Sequence, residues 1–304
     1  MKWEGQRQSD NIEDRRDEDA AGGGGGGFGF GGRSIGIGTV VVALVAGAVF
    51  GVNPLTILGL LSGGGGSVQQ QVPAQAQTQA PRPARAHTPQ EDQMKAFVAT
   101  VLADTEDVWT QIFQARGGTY RDPRLVLFRG ATATACGEGE SAMGPFYCPA
   151  DEKVYIDLGF YETLRTRLGA PGDFAQAYVI AHEVGHHVQK LLGISEKVDA
   201  MRRRANRTQA NALSVRLELQ ADCFAGVWAN HAQRTKQILE PGDLEEALNA
   251  ASQIGDDTLQ RRSQGTIVPE TFTHGTSEQR VRWFRQGWDA GDVGQCNTFQ
   301  AQPL

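Results

Sequence analysis

The chain has 304 residues, with 29 Lys and Arg against 35 Asp and Glu, a net charge of -6 and no concentrated basic face, which excludes nucleic acid as the main partner. That length allows one large domain with appendages, against a prior of about two units. The 38 glycines are too many for a uniform globule, and they cluster.

Residues 1–33 are polar and charged, then glycine-rich from Gly22 to Gly27. They cannot bury enough apolar surface to fold alone, and they read as a cytoplasmic tail. From Ile35 to Val52 the chain is apolar and uncharged, and few polar residues follow before Leu61. Residues 34–61 are therefore expected to cross a bilayer core of about 30 Å as one transmembrane helix. A leader this long and acidic fits an uncleaved anchor better than a signal peptide, although Ala46-Gly47-Ala48 imitates a cleavage site. Gly47-x-x-x-Gly51 is a weak signal for helix pairing in the membrane. Lys2, Arg7, Arg15, Arg16 and Arg33 precede the span, and the next basic residue is Arg82. The positive-inside rule then leaves the N-terminus in the cytoplasm and the bulk of the chain outside. Residues 62–90, Gly63 to Gly66 and then Gln, Ala and Pro, form an extended linker.

The folded domain is expected over residues 91–304. Phe97, Val101, Leu102, Val108, Trp109, Ile112 and Phe113 predict a long amphipathic helix ending at Gly117-Gly118. Leu125 to Phe128 and Val154 to Leu158 are short strand candidates. The second, just upstream of the motif described next, is the candidate for pairing with an extended substrate. Cys136 and Cys148 bracket a Gly- and Pro-containing loop, and Cys223 and Cys296 would make a second pair. Four cysteines permit three connectivities, and spacing alone does not choose among them. With no C-x-x-C spacing, disulfides are favoured over a thiolate metal site or buried free thiols, in keeping with an oxidising exterior.

Residues Asp173 to Leu192 repeat apolar side chains with helical period at Phe174, Ala177, Ile180, Ala181, Val184, Val188 and Leu191. Asp173 is placed to cap this helix, and Gly193 sits where its C-terminus wants a left-handed residue. The helix carries His182-Glu183-Val184-Gly185-His186, an H-E-x-x-H pattern. Residues four apart share a helical face, so His182 and His186 can offer two imidazole nitrogens to one zinc ion. Glu183, about 100° round the helix, is placed to meet a water without ligating the metal. Two histidines on a helix are more often surface or core residues. Here, an acid buried between them would be costly without a task. Gly185 lowers helix propensity by about 1 kcal/mol relative to alanine, a cost that makes sense if something approaches the backbone closely.

A third ligand is needed. Gln189 and Leu192 stand where a metzincin carries glycine and a third histidine. A second helix, Asn211 to His231, carries Glu218 and Asp222 on one face in an E-x-x-A-D pattern that resembles the glutamate-zincins. That likeness implies Glu218 as third ligand and Asp222 as the carboxylate holding a ligand histidine from behind. The competing reading is two solvated acids, against which stand Leu217, Leu219, Phe224 and Trp228. Further on, Pro241 to Ile254 reads as another helix, and His274 precedes a last helix that Ser277 is placed to cap. His274 or Arg280 is expected to reach the site and hydrogen-bond an oxyanion, with a merely structural histidine as the alternative. His87, His187 and His231 read as non-catalytic.

Several stretches together resemble the neutral zinc metallopeptidases of bacteria. They are Met1 to Gly5, Ser9 to Arg16, Ala181 to Gln189, Glu218 to Gly226 and His274-Gly275-Thr276-Ser277-Glu278-Gln279-Arg280. The resemblance implies a single-pass protein of the bacterial cell membrane with a periplasmic or other extracytoplasmic zinc domain. Leu217 departs from thermolysin-type enzymes, which have asparagine there. The expected fold class is mostly α with a small β-sheet (α+β), a zincin-like domain behind one N-terminal transmembrane helix. The expected function is hydrolysis of peptide or protein substrates with Zn2+ as cofactor and Glu183 as general base. The alternative is a membrane-tethered binding or scaffold protein whose zinc is structural or vestigial.

Overall fold

The computed structural model describes residues 1–18, 87–141 and 144–304. The expected transmembrane helix and nearly all of the linker lie outside the described residues, among which no helix is long and apolar enough to cross a membrane.

The described chain is mostly helical with a small sheet. Strand β1 (Ile12–Asp14) is followed by helix α1 (Pro89–Ala115) and strands β2 (Arg124–Phe128), β3 (Ala131–Thr134), β4 (Gly137–Glu140), β5 (Phe146–Cys148) and β6 (Lys153–Asp157). Then come α2 (Gly159–Thr166), α3 (Asp173–Leu191), α4 (Ile194–Arg202), α5 (Arg207–Lys236), α6 (Asp243–Gln253), α7 (Asp256–Gln264) and α8 (Ser277–Ala290). The main sheet runs β1-β2-β6-β5, parallel except for the antiparallel β5–β6 pair, while β3 and β4 form a separate hairpin.

Capping chemistry sets three of the helix starts. Thr88 with Glu91, Asn206 with Gln209 and Thr276 with Gln279 each form a reciprocal capping box before α1, α5 and α8. The cap of α8 is thus Thr276, one residue before the expected Ser277. Asp173 opens α3 as its first residue rather than as its cap, and Gly193 is left-handed as expected.

Helix α3 is the axis of the core. It packs on α1, α5 and α6, while α8 lies along α5. The approach of these helices is close. A β-carbon on Gly185 would meet the Ala221 carbonyl oxygen of α5 at 3.0 Å, and one on Gly226 would meet the Phe284 carbonyl oxygen of α8 at 2.1 Å. The glycine inside H-E-x-x-H is therefore explained by the ligand helix itself.

Two readings are corrected here. Residues 1–18, which the composition leaves as part of an unfolded tail, belong to the folded unit. Their segment does not fold alone; it adds a strand to β2, with Arg7 on the Ala103 carbonyl at 2.7 Å and Ser9 on Glu106 at 2.5 Å. Trp3 packs edge-on against Phe97 at 5.5 Å. The candidate substrate strand, Val154-Tyr155-Ile156-Asp157, is interior, because it pairs on both sides with β2 and β5. The sheet ends instead at β5.

Candidate metal centre

Helix α3 turns His182 and His186 to one face, and α5, crossing at Gly185, brings Glu218 to meet them. The His182 Nε2 lies 3.2 Å, and the His186 Nε2 3.6 Å, from the same Glu218 Oε2. All three donor atoms fall within 4.8 Å of one another. Two ligand atoms about 2.1 Å from a tetrahedral zinc stand about 3.4 Å apart, so both distances to Glu218 fit. Nitrogen, nitrogen and carboxylate oxygen are a zinc donor set with one position left over.

The charges favour a cation at this place. Burial alone would lower His182, but Asp222 and Glu218 raise it to about 10. Burial likewise opposes charge on His186, and Glu218 overrides it, so its pKa is raised too. Glu218 is itself held far below the usual carboxylate range, against its burial, by His186, His274 and His182. The carboxylates around the two imidazoles favour positive charge there, which a divalent cation can supply.

Each ligand ring is held from behind. The His182 Nδ1 lies 2.8 Å from Asp222 Oδ1, and the His186 Nδ1 lies 2.9 Å from Gln189 Oε1. Asp222 is fully buried, yet Arg280 and His182 hold it at about 2. Arg280 grips it with two bonds of 2.9 Å, and Tyr178 donates to it at 2.5 Å. Arg280 therefore acts behind His182 and does not face the open position, which removes it as an oxyanion donor.

Glu183 is buried beside the two histidines, and burial raises its pKa. Among the described residues no hydrogen bond engages its carboxylate, which leaves it free for a water. His274 is a quarter exposed and paired through Nδ1 with Asp256 at 3.2 Å. The other Asp256 oxygen accepts the N–H groups of Thr273, His274 and Gly275 at 2.7, 2.6 and 3.0 Å. Burial opposes charge on His274, but Glu218 and Asp256 raise its pKa.

The remaining histidines have their ring nitrogens engaged by other partners. His187 donates from Nε2 to the Arg121 carbonyl at 2.6 Å and accepts from Tyr147 at 3.0 Å, tying the metal helix to β5. His231 donates to the Gly291 carbonyl at 2.8 Å, and His87 pairs with Asp17 at 2.8 Å. Both disulfides form as paired above, Cys136–Cys148 and Cys223–Cys296.

Sequence reasoning missed Tyr178, Gln189, Gln220 and Asp256. Tyr178 lies four residues before His182 and Gln189 three after His186, so helical spacing already put both on the ligand side. Asp256 left no such signal, since its role depends on where the loop before α8 docks. A second group of acids, Asp173, Asp243 and Glu246, also has metal-like spacing, but there the Met1 ammonium lies 2.6 Å from Asp173.

The model of a family described as "Putative neutral zinc metallopeptidase" matches residues 1–299. The chain belongs to that family. It is 53% identical over 303 residues to YpfJ of Escherichia coli K12, covering 98% of this chain and 99% of that protein. It is 44% identical over 195 residues to Mb2605 of Mycobacterium bovis, covering 61% of this chain and 65% of the other. Both relatives are described as uncharacterized. No solved structure matches the chain. The family match runs through β1 as well as through α3 and α5.

Proposed function

We propose that the protein is a zinc-dependent peptidase whose metal is held by His182, His186 and Glu218. The observation that carries this reading is the convergence of those three donors with Glu183 buried and unengaged beside them. A zinc ion bound there supplies Lewis-acid polarisation of a carbonyl and makes water more acidic. Glu183 accepts the proton of the attacking water and delivers it to the leaving amine. Its raised pKa suits both transfers, since a base too acidic would not take the proton. His274, with Nδ1 engaged by Asp256, presents its Nε2–H to the oxygen on which negative charge develops. Asp256 and its three backbone bonds fix that ring. An extended peptide pairs with the free edge of β5, which His187 and Tyr147 link to the metal helix.

The donor set among the described residues numbers three. That is the count of a catalytic site with an open position, whereas a structural site closes with four. The two disulfides accord with an extracytoplasmic location. The test is cleavage of a peptide library by the full-length protein with and without a zinc chelator. Cleavage that stops on chelation and returns with added zinc supports the reading; cleavage unchanged by complete zinc removal refutes it.

A further inference from the structure

His182 is held by a charged carboxylate, but His186 is held by a neutral relay. The Gln189 Oε1 lies 2.9 Å from the His186 Nδ1, while the Gln189 Nε2 donates to the Leu217 carbonyl at 2.6 Å and to the Gln220 Oε1 at 3.2 Å. The Gln220 Nε2 in turn donates to the Cys296 carbonyl at 2.9 Å. Both glutamines are buried. An amide offers two donors on nitrogen and only acceptors on oxygen. Amide orientation is often ambiguous, but here each amide is fixed by a main-chain carbonyl, which can only accept. The carbonyls of Leu217 and Cys296 force both nitrogens toward themselves. Oε1 of Gln189 must then face His186, Nδ1 must carry the hydrogen, and the Nε2 lone pair is left for the metal.

The far end of the relay is not on either ligand helix. Cys296 lies in the segment after α8, and that segment is strapped to α5 by its bond to Cys223. Thr298 reinforces the strap, donating to the Arg216 carbonyl at 2.6 Å and accepting from the Arg216 guanidinium. We infer that Gln189 and Gln220 are positioning residues for His186, and that the Cys223–Cys296 disulfide is a working part of the metal centre because it holds the carbonyl that orders the relay. This rests on the reading of His182, His186 and Glu218 as one zinc set.

The test compares two disulfides in the full-length protein. Zinc affinity is measured by competition with a chromogenic chelator, and ligand geometry by the visible absorption of the cobalt-substituted protein. Removing Cys223–Cys296 as a double Ala variant, or making Gln220→Met, is expected to weaken zinc binding about 10- to 100-fold, as loss of outer ligand partners does elsewhere, and to shift the cobalt spectrum. Removing Cys136–Cys148, which touches no part of the relay, is expected to leave both unchanged. Wild-type affinity and spectrum after loss of Cys223–Cys296 would overturn the inference, as would equal weakening from the two disulfide deletions. If Gln220→Met does not fold, the disulfide comparison alone decides. Failure of the underlying reading shows separately, as zinc binding indifferent to Glu218→Ala.

Discussion

Asp222 shows how chemistry at one residue was half legible. Its spacing from Glu218 put both acids on one face of a helix, and the resemblance to the glutamate-zincins implied their roles. What backs Asp222 was not legible, because Arg280 comes from 58 residues further along the chain. The sequence offered Arg280 as an alternative to His274 for the oxyanion, and the structure instead turns it inward onto Asp222 and Tyr178. That arrangement makes a specific prediction. Arg280→Met leaves a buried carboxylate without its cation, and removing one partner of a buried pair costs about 3–5 kcal/mol. Denaturant unfolding in the presence of chelator, which removes any stabilisation by zinc, is expected to show a loss of that size. A loss under about 1 kcal/mol would mean that Asp222 does not depend on the guanidinium.

Among the elements, the long helices and the five-residue strands β2 and β6 were readable, and the three-residue strands were not. The apolar repeat of α3 runs over five turns of periodic signal, whereas β1 and β5 have three residues each, too few to show alternation. That is why the interior strand β6 was read as the substrate edge and why β1 was missed altogether. The missed strand has the larger consequence. Strand β1 lies in one sheet with β2, β6 and β5. A single crossing by residues 34–61 would separate β1 from β2. Glu18→Cys and Gln286→Cys, both at exposed positions, test this in spheroplasts expressing the full-length protein. The native cysteines are silent because all four are disulfide-bonded. A membrane-impermeant maleimide is expected to label both positions from the same side; labelling from opposite sides would mean that β1 does not pair with β2 in the cell.

For the whole molecule, composition and motif spacing were enough for the α+β class and for the two helices that bring His182, His186 and Glu218 together, while the disulfide pairing needed the fold. They were not enough for the docking of the two chain ends. The N-terminal strand adds to the sheet, and the C-terminal segment is linked by hydrogen bonds through Gln220 and Gln189 to His186, both through contacts far apart in sequence. The proposed function divides the labour between Glu218, assigned to hold metal, and Glu183, assigned to move a proton. Zinc content and peptide turnover of Glu183→Gln, Glu218→Ala and the control Glu240→Ala measure that division directly. The account predicts that Glu183→Gln keeps its zinc while turnover falls about a hundred- to ten-thousand-fold, that Glu218→Ala loses zinc, and that Glu240→Ala matches the wild type. Full turnover by Glu183→Gln, or equal zinc loss in the Glu218 and Glu240 variants, would contradict it.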